Sequence, residues 1–368
     1  MAKSKKVSKT KRSVKPVRKM EKKVRKEQKK PTSKSSGGAK KSKVRVIFMS
    51  VGSYPRIGDT ENEQRFRRAW AKRERNEITE DEFRQIEREF TKLAIEEQEK
   101  AGMDIITDGA IGWYDQISHF ARNVQGVKIN GLLRFFDTNT YFRQPIIDEQ
   151  TPDDPEVKPV LQDEFAYAKS IAKKIVKPFL TGPITLARLT KGDFKKAVGI
   201  YTKLIENEVR VLSENGAQII QIDEPALTKD DIGGKEFDAL PYLERIYNAK
   251  KPETKLMYYF YFRDFSKDYK AFQKIPADIL GFDMTYSRIE DIIGKDGTRR
   301  ELFLGIVDGR NTYIEKQKDV LPRLNKVLKN YSLENIYVGP SSGLEYLPRK
   351  FAFLKLKNLT SMLKHLRK

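Results

Sequence analysis

After Val44 the sequence alternates short β-rich runs with longer stretches of helical periodicity, and it does so eight times. The runs are Val46–Ser50, Asp104–Thr107, Pro178–Thr181, Gln218–Ile222, Lys255–Phe260, Ile279–Met284, Leu302–Val307 and Ile336–Val338. Parallel neighbours cannot be joined by a tight turn, so this alternation is the pattern of a parallel sheet with crossover helices. Eight units predict closure into an α/β fold of the (β/α)8 TIM-barrel type. The helical stretches carry their own start signals. Thr79 and Glu82 form a capping-box pattern ahead of Phe83, Ile86, Phe90 and Leu93 on one face, and Gly102 ends the helix after Ala101. Further helices are predicted at Phe194–Asn215, Phe237–Ala249, Ile314–Lys329 and Arg349–Leu366. The stretch Gly126–Lys158 has no helical period and contains Thr138-Asn139-Thr140, which predicts a β-hairpin inserted between the second and third strands.

Charge divides the chain into two parts. The 368 residues carry a formal charge of +22, and 20 of the 73 Lys+Arg but only 2 of the 51 Asp+Glu fall in residues 1–45. Residues 1–44 are therefore expected to be a separate Lys/Arg-rich extension, with residues 45–368 forming the barrel. From Met1 to Lys43 there is no aromatic residue, and Pro16, Pro31 and Ser35-Ser36-Gly37-Gly38 interrupt any long helix. Such a segment buries too little apolar surface to offset its ordering entropy and is expected to be disordered alone.

Several chemistries are excluded by composition. With no Cys there is neither disulfide nor thiolate, and two His (His119 and His365) are too few for a histidine-built zinc site. No metal and no cofactor is expected. His119, beside aromatic residues, reads as packed or at the surface, and His365 as solvated. No apolar run is long enough for a membrane span and no apolar stretch follows the basic N-terminus, so a cytoplasmic protein is expected. A charged content of 34% without Cys suits a thermophile.

The strand ends carry the residues with chemistry: Gly52-Ser53, Asp108-Gly109, Gly182-Pro183, Asp223-Glu224-Pro225, Asp308-Gly309 and Gly339-Pro340-Ser341-Ser342-Gly343. In a (β/α)8 barrel these positions share one mouth, where active sites lie, although Gly, Pro and Asp are also ordinary turn residues. Adjacent strand residues point to opposite faces, so only one of Asp223 and Glu224 can face the barrel axis. The run Tyr258–Phe262 alternates in and out, so half of its rings should fill the barrel.

Taken in order, Val51-Gly52-Ser53-Tyr54-Pro55, Thr181-Gly182-Pro183-Ile184-Thr185, Gln221-Ile222-Asp223-Glu224-Pro225 and Gly339-Pro340-Ser341-Ser342-Gly343-Leu344 resemble the catalytic barrel of cobalamin-independent methionine synthase, in its short archaeal form. The resemblance spans about residues 46–366. It implies a zinc ion that activates homocysteine for methyl transfer, held by a His and a Cys two residues apart after the fifth strand, a Glu after the sixth and a Cys after the eighth. The positions matched here are Tyr258, Phe260, Thr285 and Ser342, which would mean that all four ligands are lost. Gly52, Ser53, Asp223 and Glu224 remain as a substrate-like pocket for an ammonium or carboxylate group, or as residues that keep the barrel closed.

Three functions stay open on the sequence. The first is a catalytically silent barrel that binds RNA, above all ribosomal RNA, as a ribosome hibernation or assembly factor. Its phosphate contacts would come from Lys5, Lys6, Lys9, Lys11, Arg12, Lys15, Arg18, Lys19, Lys22, Lys23, Arg25, Lys26, Lys29 and Lys30. Arg65, Arg67, Arg68, Lys72, Arg73 and Arg75, with Lys173-Lys174 and Arg299-Arg300, could extend that surface. The second is a zinc-independent methyltransferase acting on homocysteine or a similar amino acid. The third is a sensor of a small amino-acid-like ligand. No membrane partner is expected, since the extension has neither a lipidation motif nor an aromatic-bearing face.

Overall fold

In the computed structural model, which describes residues 44–367, the eight runs become parallel strands. They begin with β1 (Arg45–Phe48) and β2 (Ile105–Ile106). Next, β3 (Lys128–Arg134) and β4 (Tyr141–Ile146) pair antiparallel as the expected hairpin insertion. The barrel resumes with β5 (Ile175–Val176), β6 (Phe179–Thr181), β7 (Ile219–Asp223), β8 (Lys255–Phe260), β9 (Ile279–Asp283), β10 (Glu301–Val307) and β11 (Asn335–Pro340). Hydrogen bonding runs β1-β11-β10-β9-β8-β7-β6. The ring closes through β2, because Met49 bridges Ile105 in parallel and β2 pairs with β5.

The third barrel strand is split. β5 serves β2 and β6 serves β7, with Lys177-Pro178 between them. Lys177 donates its N–H to Ile106 and the Pro178 carbonyl accepts from Gln221 N–H. Pro178 has no N–H of its own to continue the ladder, which is why the strand hands over from one neighbour to the other at this residue.

The helices follow from local chemistry. The helix Glu80–Lys100 starts with both halves of the capping box formed: Thr79 Oγ1 accepts from Glu82 N–H at 3.2 Å and Glu82 Oε2 accepts from Thr79 N–H at 2.8 Å. Its Phe83 and Phe90 pack against Phe66 from the preceding helix Arg65–Glu74. The helix Phe194–Glu214 is capped by Asp193, which accepts from Lys196 N–H. The helix expected from Phe237 begins only at Leu240, because Asp238 first closes a turn by accepting from Gly233 and Leu240, and Pro241 then fits the first helical turn. The last helix, Arg349–Met362, ends four residues short of expectation and continues as a 3₁₀ turn, Lys364–Leu366.

Two apolar layers result. One lies between the strands and the helices, and the other fills the barrel with Met49, Val51, Ile105, Ile219, Met257, Tyr259, Tyr261, Ile279, Phe303 and Tyr337. Among the described residues no helix is long and apolar enough to cross a membrane. The expected disordered extension, with all fourteen of its phosphate-binding candidates, lies outside the described residues up to Lys43.

Candidate active site

Along β7, Ile219, Gln221 and Asp223 point to the barrel axis while Ile220 and Ile222 pack outward. Gln221 Nε2 donates to Asp223 Oδ1 at 2.6 Å, and its Oε1 accepts from Lys177 Nζ, which enters the barrel where the third strand breaks. Tyr261 OH donates to Asp223 Oδ2 at 3.3 Å. The result is a buried polar chain, Lys177–Gln221–Asp223–Tyr261, in an otherwise apolar interior. Burial raises the Asp223 carboxyl and lowers the Lys177 ammonium, so that each moves toward the neutral range. Asp223 keeps 6% and Tyr261 7% of their exposure, so the chain reaches the surface only at this end.

The loops over Asp223 are drawn together by backbone contacts. Gly52 has φ +61, and a Cβ there would lie 2.8 Å from the Gly343 Cα, so the loops after β1 and β11 touch only because this residue is glycine. Leu344 N–H donates to the Ser53 carbonyl, and Thr107 Oγ1 to the Gly52 carbonyl. Above the axis the hairpin contributes a lid. Phe136 packs on Phe262 with ring centres 5.7 Å apart, and Asp137 pairs with Arg310 at 3.0 Å, whose guanidinium lies over the Phe262 ring. Both aromatic residues have positive φ, +51 and +75, a conformation that bulky side chains hold only where surrounding contacts enforce it.

The lid leaves one side of the mouth open. There a cavity of about 520 Å³ is lined by Arg56, Trp70, Tyr114, Asp115, Gln116 and Glu345, among others, a size that suits a small-molecule ligand. Arg56 forms no hydrogen bond or ion pair among the described residues, and burial lowers its pKa. Glu345 Oε1 accepts from Gln116 Nε2, whereas its Oε2 is buried without a hydrogen-bond partner. Burial pushes Glu345 up to about 7. Gln116 also holds the inner wall, where its carbonyl accepts from Thr181 Oγ1. Charged atoms of both signs thus lack protein partners in one cavity, and its Glu345 lies within the electrostatic reach of Asp223.

The structure sorts the expected site residues. Gly52 and Ser53 follow β1 and Asp223 ends β7, so all three stand at the mouth, with Gly52 and Ser53 touching the loop after β11 and Asp223 bonded to Gln221 and Tyr261. Glu224 does not: it turns outward and caps the helix Pro183–Leu189, accepting from Ile184 N–H, Thr185 N–H and Thr185 Oγ1. Ser342 is buried at the mouth, its hydroxyl turned to the Gly343 carbonyl. Tyr258 and Phe260 are a correction. Both face the helix layer, where Tyr258 OH donates to the Leu243 carbonyl and Phe260 packs on Phe272 and Phe282. The inward positions two residues apart are Tyr259 and Tyr261, because the strand alternation is out of phase with the expectation by one residue. Thr285 is corrected likewise. It is exposed, and it serves the inward carboxylate Asp283 by donating its N–H and hydroxyl to Oδ1. His119 stacks on Trp113, with ring centres 5.0 Å apart, and takes no part in the mouth. Of the body arginines, Arg65, Arg73 and Arg75 are paired to Glu89, Glu80 and Glu77, so the first helix offers a less open basic face than its sequence implies.

These residues do not fit a zinc ion. The inward donors are two phenols, Tyr259 and Tyr261, held in the protonated form by burial, together with Asp283 and Ser342. The two phenols donate to Pro340 O and Asp223, and Asp283 accepts from Thr285 and Phe262 N–H. The set contains neither thiolate nor imidazole, and among the described residues no cluster of three His, Cys, Asp or Glu could hold a metal.

Burial of Glu224, Glu345 and Asp283 has a measurable consequence. Their pKa values are raised to about 7, about 7 and about 6. The native state therefore keeps protons that the unfolded chain releases from pH ~4 upward, and stability is lost as pH rises through the native values. Glu63, Asp148 and Asp291, held low by hydrogen bonds, titrate below that window, while His119, lowered by burial to about 3, opposes the trend up to about pH 6.5 as one group against three. At ~1.4 kcal/mol per pKa unit, a loss of about 2 kcal/mol or more is expected between pH 5 and 7.5. Urea midpoints that hold steady or rise over this interval would contradict it.

Comparison with known proteins agrees with the architecture. The model of the family described as cobalamin-independent synthase, catalytic domain, matches residues 47–365. A methionine synthase of Saccharolobus solfataricus is 29% identical over 320 residues, covering 84% of this chain and 91% of that protein. One from Pyrococcus furiosus is 27% identical over 323 residues, covering 86% and 92%. Among solved structures, a B12-independent methionine synthase from Shewanella in complex with selenomethionine superposes with a TM-score of 0.69 at 17% identity, covering 89% of this chain and 98% of that one.

Proposed function

This chain belongs to the cobalamin-independent methionine synthase family, and from that premise we propose that it is a zinc-independent methyltransferase of a small amino-acid thiol. The observation that carries this reading is Asp223. A thiol attacks a methyl donor as its thiolate, so without a metal its proton must pass to a group titrating near neutrality; the S–CH3 bond forms as the donor's bond to the methyl carbon breaks, a sulfonium donor leaving as a neutral sulfide and an N-methyl donor as an amine that takes up the proton. Asp223 is such a group at the barrel axis, raised by burial and linked through Gln221 to Lys177. The adjoining cavity suits a zwitterion, with Arg56 facing its carboxylate and Glu345 its ammonium. A structurally similar protein holds selenomethionine, which supports the ligand class. The test is turnover of homocysteine with N-methyl and sulfonium methyl donors, alongside the metal content of the purified protein. Methionine formation that persists in chelator is expected. Stoichiometric zinc, or activity abolished by chelation, contradicts the reading, as does a failure to bind homocysteine and methionine at all.

A second observation favours a different class. Residues 1–45 carry 20 of the 73 basic residues with only two acidic ones. Such a segment meets phosphates and releases their counterions, which supports an RNA-binding, ribosome-associated role beside or instead of catalysis. Sucrose-gradient sedimentation of lysate at low salt tests it, with the intact chain and with residues 1–44 removed. The intact chain is expected with ribosomal fractions and the shortened one free of them; absence of the intact chain contradicts the role.

A further inference from the structure

The polar chain below Asp223 ends at Lys177, which is fully buried yet forms no ion pair among the described residues. The hydrogen bond of its Nζ goes to Gln221 Oε1. Enclosing an ammonium costs free energy unless its charge is used, and an apolar side chain would fill the same space without that cost. A lysine has only donors, so it fixes the Gln221 amide with Oε1 toward Nζ and Nε2 toward Asp223. Nε2 then donates to Asp223 Oδ1 at 2.6 Å, which commits that oxygen to accepting. A proton taken up by Asp223 is thereby directed to Oδ2, the oxygen that meets the Tyr261 hydroxyl at 3.3 Å. Tyr261 can accommodate it by turning its hydroxyl from donor to acceptor, since a phenol does both. The surrounding charges are otherwise of one sign. Lys177 faces Asp108 as well as Asp223, and Asp223 faces Tyr259, Tyr261 and Glu345. Lys177 is the one cation among these groups, whereas burial and the neighbouring carboxyls all favour the protonated form of Asp223.

We propose that Lys177 is a positioning residue for methyl transfer: through Gln221 it orients Asp223 and holds it ready to ionise, so that Oδ2 receives the thiol proton. The inference rests on the methyltransferase reading above and names the group that makes Asp223 usable as its proton acceptor. The S–H bond breaks with its electron pair left on sulfur, and the proton forms an O–H bond at Oδ2. It later leaves to the amine product of an N-methyl donor or, with a sulfonium donor, to water. Lys177 and Gln221 keep their own protons throughout. Neither of them lines the cavity beside Arg56, so their effect on the reaction passes through Asp223 alone.

Two variants of the full chain test it. Lys177→Met keeps the length of the side chain and removes its charge, and Gln221→Leu removes the bridge while leaving Lys177 in place; thermal denaturation checks that each is folded. Ionisation of Asp223 is followed by NMR of isotope-labelled aspartate carboxyl carbons, its line assigned by its absence from Asp223→Asn. Methyl transfer to homocysteine is measured over the same pH range. A nearby opposite charge moves a carboxylate by about 1–3 pH units, so the Asp223 midpoint in Lys177→Met is expected about 1 pH unit or more above the parent's, with Gln221→Leu displaced in the same direction. The ascending limb of the rate should move with it, giving a loss of about tenfold below the midpoint that is recovered at high pH, with KM for homocysteine unchanged. A structural defect would instead lower the rate at every pH. An Asp223 midpoint that stays in place in both variants overturns the role of Lys177, as does a rate loss independent of pH. A parent that forms no methionine at any pH overturns the methyltransferase reading; the NMR titration needs no turnover and then decides by itself whether Lys177 governs Asp223.

Discussion

Replacing Asp223 with asparagine is expected to reduce methyl transfer by about 10²–10⁴-fold, the range in which a positioned proton acceptor contributes. The substitution preserves shape and removes only the capacity to take a proton. Because burial disfavours the Asp223 anion, the variant should be at least as stable as the parent, which separates lost chemistry from lost structure. The pH profile gives a second readout. The groups facing Asp223 are Lys177 through Gln221, Tyr261, and Glu345 with Tyr346 beyond it. In the parent the rate should rise as Asp223 ionises, and in the variant that limb should vanish. A variant with undiminished rate and an unchanged profile would remove Asp223 from the reaction.

The eight strands were legible because each lies between turn residues, and the helix Glu80–Lys100 between the first two strands was legible from its capping box at Thr79 and Glu82. The split of the third strand was not. It depends on Lys177-Pro178 standing between two different neighbours, a tertiary circumstance that the run Pro178–Thr181 does not reveal. The phase of β8 was illegible for a clearer reason. Leu256 to Phe262 are all apolar or aromatic, so no polar alternation marks which residues face the axis, and a shift of one residue exchanges Tyr258 and Phe260 for Tyr259 and Tyr261. The pair Asp223-Glu224 was legible as one in and one out, but the choice required seeing the helix Pro183–Leu189 offer its N–H groups to Glu224. Arg56 and Glu345 approach one cavity from opposite ends of the chain, and nothing local to either marks them.

Tyr259 gives the largest expected effect on stability. Its ring lies across two neighbouring strands at positions where both carry glycine. A Cβ on Gly281 would come within 2.6 Å of its Cδ2, and one on Gly305 within 2.5 Å of its hydroxyl. The ring packs edge-on to Phe303 at 5.0 Å, and its hydroxyl donates to the Pro340 carbonyl at 3.2 Å. Tyr259→Ala would leave a void bordered by glycines, which have no side chains to relax into it, so a loss of about 3–5 kcal/mol is expected. Tyr259→Phe keeps the ring and should cost about 1 kcal/mol. Gly281→Ala alone should also destabilise, because its methyl meets the ring. In the Tyr259→Ala background the same methyl enters the void, so the double variant should be more stable than the two single losses predict, with a coupling of about 0.5–3 kcal/mol in urea denaturation. Strict additivity would mean that the ring does not occupy the space above Gly281. The barrel interior would then have room at its axis, and an amino-acid ligand could approach Asp223 through the centre of the mouth as well as through the cavity beside Arg56.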